Sequence, residues 1–470
     1  MACFAVKLFA RNSPLGTRNL STNPETALEF SASAAERISP SAYWRLVRGN
    51  RNFRRLWLAQ IVSEIGDWFY TVTLYTLLLQ FTGRAQSVGL ALVLQVLPQT
   101  LVGPSAGVVN DRVRRKRVMI TADLLRAGIV LSMLLVRSRS TVWLIYPLLV
   151  METVAAAFFE PARNSVIPNI TRREEVIVAN TLSSITWSFD LAVGATLGGI
   201  VAVFLGREAV FILNALSFVA SALLIGGMRF HEPHAAGLPR LRPREVVDFS
   251  PMMEGLRYLQ DRPRLLATVL VKGGLGLMIG ATWIIYTILG EREFSLRFGG
   301  SAGQAAMLGM GVLIGARGIG ALLGPLIGAT WAGQRDSRLR RGILFGFIAA
   351  ACGVGSISVA PNVWIAMLCV IVAHCGGSII WTFSTTLLQL YSDDQFRGRV
   401  FSADLGICMA TISLTAWAAS AAIDAAIPVR LLAAITGAAI LIPAGAWALA
   451  QRFWKSSLSV DSSIRRSPAD

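Results

Sequence analysis

Two acidic residues, Glu64 and Asp67, interrupt an otherwise apolar stretch in the first part of the chain. Residues three positions apart share one face of a helix. In a membrane a carboxylate is costly unless it is protonated, paired or facing water, and two neighbouring carboxylates disfavour each other's charge. With Asp190, in another apolar stretch, they predict proton coupling, and Asp67 is preferred because it lies deepest beside Glu64. In the alternative interpretation these acids are hydrogen-bonded and serve only helix packing.

A second group of charged residues surrounds a turn between two apolar stretches, at residues 107–117. Two further acid–arginine pairs, each three residues apart, follow in the next apolar stretches and share a helix face. Ion pairs among these residues predict an inner gate that holds two halves of a protein closed and opens when they rock. The alternative is a static charge belt that fixes orientation. The predicted gate comprises Gly107, Asp111, Arg112, Arg115, Lys116, Asp123, Arg126, Glu160 and Arg163.

Three basic residues lie within apolar stretches of the second part of the chain, namely Lys272, Arg317 and His374. Arg317 stands in a glycine-rich run and must face protein or a cavity, where it would neutralise an acid of the first part or bind an anionic cargo. His374 is expected to make a neutral polar contact. The sequence shows no metal-ligand spacing, no phosphate loop and no catalytic set, so we expect no metal, no cofactor and no enzyme activity.

The composition predicts where these residues lie. Of 470 residues, 54% are hydrophobic and only 15% are charged, whereas soluble domains carry about 25% charged residues. The apolar stretches run to about 20 residues, which is the length of a helix that crosses a bilayer. The net charge of +17 is expected to face anionic lipid, because no soluble basic domain that would bind nucleic acid is visible.

Hydropathy predicts an all-α integral membrane protein with twelve transmembrane helices in two pseudo-symmetric six-helix bundles. We expect a disordered tail over 1–50, bundles over 51–228 and 265–452, a linker over 229–264 whose second half forms a surface amphipathic helix, and a tail over 453–470. The predicted spans are 55–81, 86–109, 117–136, 142–166, 179–204, 208–228, 265–290, 305–331, 342–360, 362–387, 400–426 and 429–451.

Lysine and arginine are concentrated in alternate loops, including 112–117, 229–264 and 335–341. Loops rich in these residues remain on the cytoplasmic side. The bias predicts that both termini are cytoplasmic in a multi-pass protein of a bacterial plasma membrane.

Gly107, the pair Asp111-Arg112 and the basic cluster after them resemble the loop between helices 2 and 3 of the major facilitator superfamily, although the family often has Gly in place of Arg114. Asp336 lies 225 residues after Asp111, where a second copy of the loop is expected. Further segments resemble the bacterial branch that includes the enterobactin exporter and macrolide efflux proteins. These segments are 53–57, 66–67, 123–126, 159–163, 167–168, 214–218, 254–259 and 397–400.

The resemblance implies proton-driven export of a small amphipathic molecule, such as a siderophore, antibiotic or drug, by a monomer in contact with membrane lipids. The alternatives are a facilitator, importer or lipid flipper on the same fold, or a membrane sensor or subunit that has lost transport. Glycine-rich runs at 194–199 and 309–324 predict close helix packing, and the first resembles the glycine motif of superfamily exporters without its usual proline.

Overall fold

The fold was analysed in a computed structural model that describes residues 40–172, 175–232, 250–260, 262–296, 302–332, 336–392 and 396–464. The predicted tail over 1–39, the linker residues 233–249 and the last residues 465–470 lie outside the described parts. Within those parts the chain forms helices and short turns and no β-strand. The helices are α1 (Pro40–Gly49), α2 (Arg51–Thr82), α3 (Ala85–Arg112), α4 (Arg115–Ser132), α5 (Ile145–Ile170), α6 (Val176–Gly226), α7 (Ser250–Gln260), α8 (Pro263–Arg292), α9 (Ala302–Ala332), α10 (Asp336–Ile357), α11 (Val363–Tyr391), α12 (Arg397–Asp424) and α13 (Val429–Ile464).

Ten helical stretches among the described residues are long and apolar enough to cross a membrane. One of them, Val178–Gly226, has 49 residues, about twice the length one crossing needs. It breaks at Gly206, whose φ of 80° lies in the left-handed region that glycine tolerates best. Helix α2 is not among these ten stretches, but its 32 residues are enough to cross a membrane. The predicted all-α membrane fold is therefore confirmed.

Two helix boundaries differ from the sequence prediction. Helix α1 begins at Pro40, inside the segment expected to be a disordered tail. Its Leu46 is 2% exposed, so burial of one apolar face orders this short helix. Helix α13 continues to Ile464, beyond the expected end of the last bundle at 452. The helix expected in the linker is present as α7.

Helices α2–α6, here called the first half, pack mainly on one another, through the pairs α2–α6, α4–α6, α3–α5 and α4–α5. Helices α8–α13, the second half, do the same through α10–α11, α8–α12, α9–α11 and α10–α13. Two extensive contacts join the halves, α6 with α9 and α3 with α12. We call the end of the molecule that holds Arg51 and the loop at 112–116 the basic end, and the other the opposite end.

Small residues form the α6–α9 contact. A side chain at Gly311 would place its Cβ 2.6 Å from the carbonyl oxygen of Ala195, and one at Gly199 would place it 2.8 Å from that of Met307. These are backbone atoms of the facing helix, so neither glycine has room for a side chain. The predicted close packing by the glycine-rich runs is what joins the halves from mid-length towards the opposite end.

A carboxylate of the second half binds to the first half at the opposite end. Asp424, at the end of α12, accepts hydrogen bonds from the backbone N–H groups of Ala85 (2.7 Å) and Gln86 (2.9 Å), at the start of α3. The first N–H groups of a helix have no partner inside the helix and favour a negative charge. One side chain of the second half therefore satisfies the first turn of a helix in the first half.

We expect Gly311→Val to destabilise the protein by about 1–3 kcal/mol, because the added side chain overpacks the α6–α9 contact. The measurement is the midpoint of thermal unfolding in detergent. The matched control is Gly128→Val in α4, because an added Cβ there has nothing within 4 Å. Equal midpoints for the two variants would contradict the close approach of α6 and α9.

Candidate functional site

Arg163 of α5 is held between two carboxylates. It donates one hydrogen bond to Glu64 of α2 at 2.9 Å and another to Glu160, one turn before it, at 2.8 Å. Gln60 Nε2 lies 3.3 Å from Glu64 and donates to the Ser183 carbonyl of α6 at 2.9 Å. This group ties α5 and α6 to the middle of α2.

Arg126 of α4 forms a second group. It pairs with Asp123 on its own helix, and its Nη1 lies 3.7 Å from Asp67 of α2. Asp123 is fully buried and also accepts a hydrogen bond from Ser221 of α6 at 2.7 Å. The guanidinium lies over the ring of Phe218 at 4.2 Å, which supplies a further favourable cation–π contact.

The structure thus joins the two predicted sets of residues. Each acid proposed for proton coupling on α2 pairs with an arginine that had been assigned to the inner gate. The ion pairs that the structure describes within 40–464 lie inside one half, or link α12 to α7, and none joins the first half to the second. In this conformation the ion pairs of Arg126 and Arg163 link helices within the first half.

The loop between α3 and α4 bonds to backbone groups. Arg115 donates to the carbonyl groups of Asn110 (3.2 Å) and Ser165 (3.1 Å), and Lys116 donates to that of Met228 (2.8 Å). Backbone ends of α3, α5 and α6 are thereby tied together at the basic end. Gly107, Asp111 and Arg112 lie in the last turns of α3, and the side chain of Asp111 is outside what the structure describes.

Asp190 of α6 is fully buried, and neither of its carboxylate oxygens has a hydrogen-bond partner among the described residues. The charged groups that act on it are Glu64 and Arg163. A buried carboxylate without a donor is costly. A proton on Asp190 would remove that cost and would allow it to donate to Glu64.

A cavity of about 260 Å³ lies among α2, α3, α5 and α8. Two acids, Asp67 and Glu152, line it together with the aromatic side chains of Trp68, Tyr70 and Trp283. Glu152 of α5 is 8% exposed and was not identified from the sequence. An acid within an apolar stretch is the signal that identified Glu64 and Asp67, and it applied equally to Glu152.

An aromatic stack crosses between the halves beside this cavity. The ring of Trp68 lies edge-on to Trp187 of α6 and is stacked on Trp283 of α8, with both centroid distances at 6.2 Å. Arg317 of α9 lies over the ring of Trp283, with its Cζ 4.1 Å from the ring centroid. The tryptophan that follows Asp67 is therefore one ring away from a buried cation of the second half.

Arg317 is 7% exposed, and no carboxylate among the described residues pairs with it. Its Nε and Nη1 atoms are buried without a hydrogen-bond partner in the described part of the chain. His374 of α11 lies edge-on to Tyr286 at 5.7 Å, and its buried Nε2 has no partner there either. The rings that these two basic residues contact, Trp283 and Tyr286, both belong to α8, and neither Arg317 nor His374 lines the cavity.

Lys272 of α8 and Asp404 of α12 form a buried ion pair, 2.5 Å between Nζ and Oδ2, with both side chains at most 2% exposed. Lys272 was predicted as a cavity charge, and the structure places it inside the second half beside the ring of Trp381, at 4.7 Å. Asp404 was not among the site residues predicted from the sequence. Among the described residues no group of His, Cys, Asp and Glu could hold a metal ion.

Six acids and two arginines lie close together in the first half, and the side chains of Asp67 (32%) and Glu160 (38%) are partly exposed. The acids are Glu64, Asp67, Asp123, Glu152, Glu160 and Asp190, and the arginines are Arg126 and Arg163. Two positive charges cannot neutralise six negative ones, and unpaired charge is costly inside a membrane. The site therefore requires protons, water or a cationic ligand on some of its acids.

The model of the Major Facilitator Superfamily matches residues 56–411. The chain therefore belongs to the Major Facilitator Superfamily, whose members are transporters and not enzymes, and it is a multi-pass membrane protein. It is 28% identical over 239 residues to macrolide efflux protein A of Streptococcus pyogenes. This match covers 48% of this chain and 55% of that protein. It is 22% identical over 391 residues to the putative bacilysin exporter BacE of Bacillus subtilis, covering 82% and 93%.

The chain spans about half the length of several curated relatives that it matches, macrolide efflux protein A among them. Among solved structures, the nucleoside transporter NupG matches with a TM-score of 0.66 at 11% identity, over 85% of this chain and 98% of that one. At that identity the likeness shows the fold alone. Together the comparisons confirm the family predicted from the loop at 107–117.

We expect Lys272→Met to destabilise the protein by about 3–5 kcal/mol, because it leaves Asp404 charged and buried without its partner. The double variant Lys272→Met/Asp404→Leu is expected to recover most of that loss. Thermal unfolding of both purified variants checks this. If the double variant were no more stable than the single one, the ion pair would not be the reason for the loss.

Proposed function

We propose that the protein is a proton-coupled exporter of a small amphipathic molecule, an antibiotic, drug or siderophore, that works by alternating access as a monomer. The observation that carries the proposal is the excess of buried acids over arginines in the first half, next to a cavity that two of these acids line. Such acids change their charge by taking up and releasing protons, which a proton antiporter requires. The printed names of the efflux relatives support export.

The cavity supports a cargo with apolar surface and positive charge. Trp68, Tyr70 and Trp283 offer aromatic faces, which attract both apolar groups and cations. Asp67 and Glu152 offer negative charge in the same wall. A cationic amphipathic molecule would neutralise these acids when it binds, and protons would neutralise them when it leaves. Cargo and proton then exclude each other, and that exclusion couples their opposite movements.

The arginines connect the charge of these acids to the packing of the helices. A proton on Asp67 removes its attraction for Arg126, which then remains held by Asp123 and by the Phe218 ring. A proton on Glu64 acts in the same way on Arg163, whose other partner is Glu160. Protonation thus loosens α4 and α5 from α2, and a change in helix packing is what alternating access needs.

We propose further that the basic end faces the cytoplasm of a bacterium, because basic loops remain inside. The contacts between the halves that the structure defines, Asp424 with α3 and the small residues of α6 with α9, lie towards the opposite end. With the basic end inside, this is a conformation closed to the exterior. The predicted gate residues would then close the inner side in the other half of the cycle.

We expect neutral amides at the coupling acids to stop uphill transport, because an amide cannot alternate between charged and neutral forms. The variants are Asp67→Asn, Glu64→Gln, Asp190→Asn and Glu152→Gln. The measurement is cargo-driven proton flux into pyranine-loaded proteoliposomes, with a macrolide as the first test cargo. The flux should fall to the level of empty liposomes in at least one variant, and the fall should be strongest for Asp67→Asn.

The control is Glu208→Gln, because Glu208 is an exposed acid of α6 near the opposite end. Downhill exchange of labelled cargo should survive in a coupling variant, which separates lost coupling from lost folding. Undiminished flux in all four variants would reject proton coupling through these acids and assign it to another residue, whereas absence of cargo-driven proton flux in the unchanged protein would favour a facilitator on the same fold.

A cysteine at position 337 tests the orientation, because Ser337 is exposed at the start of α10 at the basic end. In a background without the five native cysteines, Ser337→Cys should react with an impermeant thiol reagent only after the cells are opened. Ser138→Cys, in an exposed turn at the opposite end, should react in intact cells. Labelling of the Ser337→Cys protein in intact cells would reject the proposed orientation.

A further inference from the structure

A second and larger cavity, of about 1330 Å³, opens at the basic end of the first half. Helix α1, the start of α2, both ends of α6 and the end of α5 surround it, so it lies apart from the cavity that Asp67 and Glu152 line. Six of its lining residues are basic and one, Glu175, is acidic. The basic residues are Arg45, Arg51, Arg55, Lys116, Arg172 and Arg229. We call it the basic cavity.

Backbone contacts hold the walls of the basic cavity in place. Arg55 donates to the carbonyl of Gly227, and Lys116 donates to that of Met228 at 2.8 Å. Asn50 caps α2 by accepting from the N–H of Phe53 at 2.9 Å, and its side chain also donates to the Ile170 carbonyl at 2.5 Å. The ends of α2, α5 and α6 are therefore joined into one rim.

Three arginines of the basic cavity take no part in these backbone contacts. The side chains of Arg45, Arg51 and Arg172 are exposed and make no described hydrogen bond or ion pair within 40–464. They belong to α1, to the start of α2 and to the loop after α5, and they line one cavity, where like charges repel one another. A ligand with more than one negative charge, or with one charge and several acceptor oxygens, would relieve that repulsion. Phosphate has this chemistry and matches the guanidinium group in geometry.

Helix α1 indicates where such a ligand comes from. Leu46 is buried against the helices, whereas Trp44 is 57% exposed and lies beneath the guanidinium of Arg48, 4.3 Å from its ring centroid. Tryptophan with a neighbouring basic residue is typical of a helix that lies at the level of lipid headgroups. Because α1 forms one wall of the basic cavity, the cavity opens at that level.

We propose that the basic cavity binds the phosphate-bearing headgroup of an anionic membrane lipid. Lys116, which belongs to the predicted gate motif, lines the cavity and is bonded to Met228 near the end of the first half. A lipid headgroup bound there contacts the loop between α3 and α4 directly. It would hold that loop and the end of α6 in one arrangement.

The test is binding of short-chain phosphatidylglycerol to the purified full-length protein, measured by native mass spectrometry against phosphatidylcholine of the same chain length. We expect phosphatidylglycerol to bind more tightly by roughly tenfold or more, and the triple variant Arg45→Gln/Arg51→Gln/Arg172→Gln to lose most of that preference. The matched control is Arg84→Gln/Arg137→Gln/Arg139→Gln, which removes three exposed arginines at the opposite end. It should keep the preference.

Thermal unfolding checks that both triple variants are folded. A triple variant of the basic cavity that binds phosphatidylglycerol like the wild type would overturn the site. Displacement of phosphatidylglycerol by an equal concentration of glycerol phosphate or inorganic phosphate would overturn the lipid as source and would leave a site for a free phosphate compound. An equal loss in the control variant would show that net charge, and not this cavity, attracts the lipid.

Discussion

Charge inside a membrane must be matched, and this constraint organises the first half of the protein. Arg126 and Arg163 each lie between two carboxylates, one on the same helix and one on α2. Removing one partner of a buried pair leaves an uncompensated charge, at a cost of about 3–5 kcal/mol. The positions of α4 and α5 against α2 are thereby fixed by electrostatics. The acids that remain unmatched are then free to exchange protons or bind a cation.

The contact between the halves follows a different principle, which suits the separation that the proposed alternating access requires. Glycine and alanine let α6 and α9 approach at backbone distance without interlocking side chains. At the opposite end the halves are joined by Asp424, whose bonds to two backbone N–H groups are lost when α3 and α12 separate. Water can replace these bonds at an exposed end. The strong ion pairs therefore lie within the halves, and the contacts between them are of kinds that can open.

The sequence was sufficient to predict the fold, because each crossing requires a long apolar stretch and these stretches are separated by charged loops. It also predicted the ion pairs Asp123–Arg126 and Glu160–Arg163, since residues three apart on a helix meet wherever the helix lies. The sequence did not predict the pairs Glu64–Arg163 and Asp67–Arg126, because they depend on how each helix is rotated about its axis. Helix α1 was missed because it is short and is ordered by burial of Leu46.

The two halves differ in buried charge, and under the proposed function this difference assigns proton exchange to the first half. In the second half Lys272 and Asp404 neutralise each other in a closed pair, so that pair has little reason to change its state. Arg317 pairs with no carboxylate among the described residues, and it lies against Trp283, which is stacked on Trp68. Its charge is permanent, because arginine does not lose its proton in proteins.

A fixed cation that faces a set of acids across a movable interface makes their charge depend on the position of the halves. Arg317 lies over Trp283, so this cation is close to the wall of the cavity that Asp67 and Glu152 line. A positive charge favours negative charge on nearby acids, and the Coulomb energy varies inversely with distance and is larger where the dielectric constant is low. Under the proposed alternating access, rocking would change the distance between Arg317 and the acids of the first half. Movement of the halves and occupation of the acids by protons would then be linked without any bond between Arg317 and an acid.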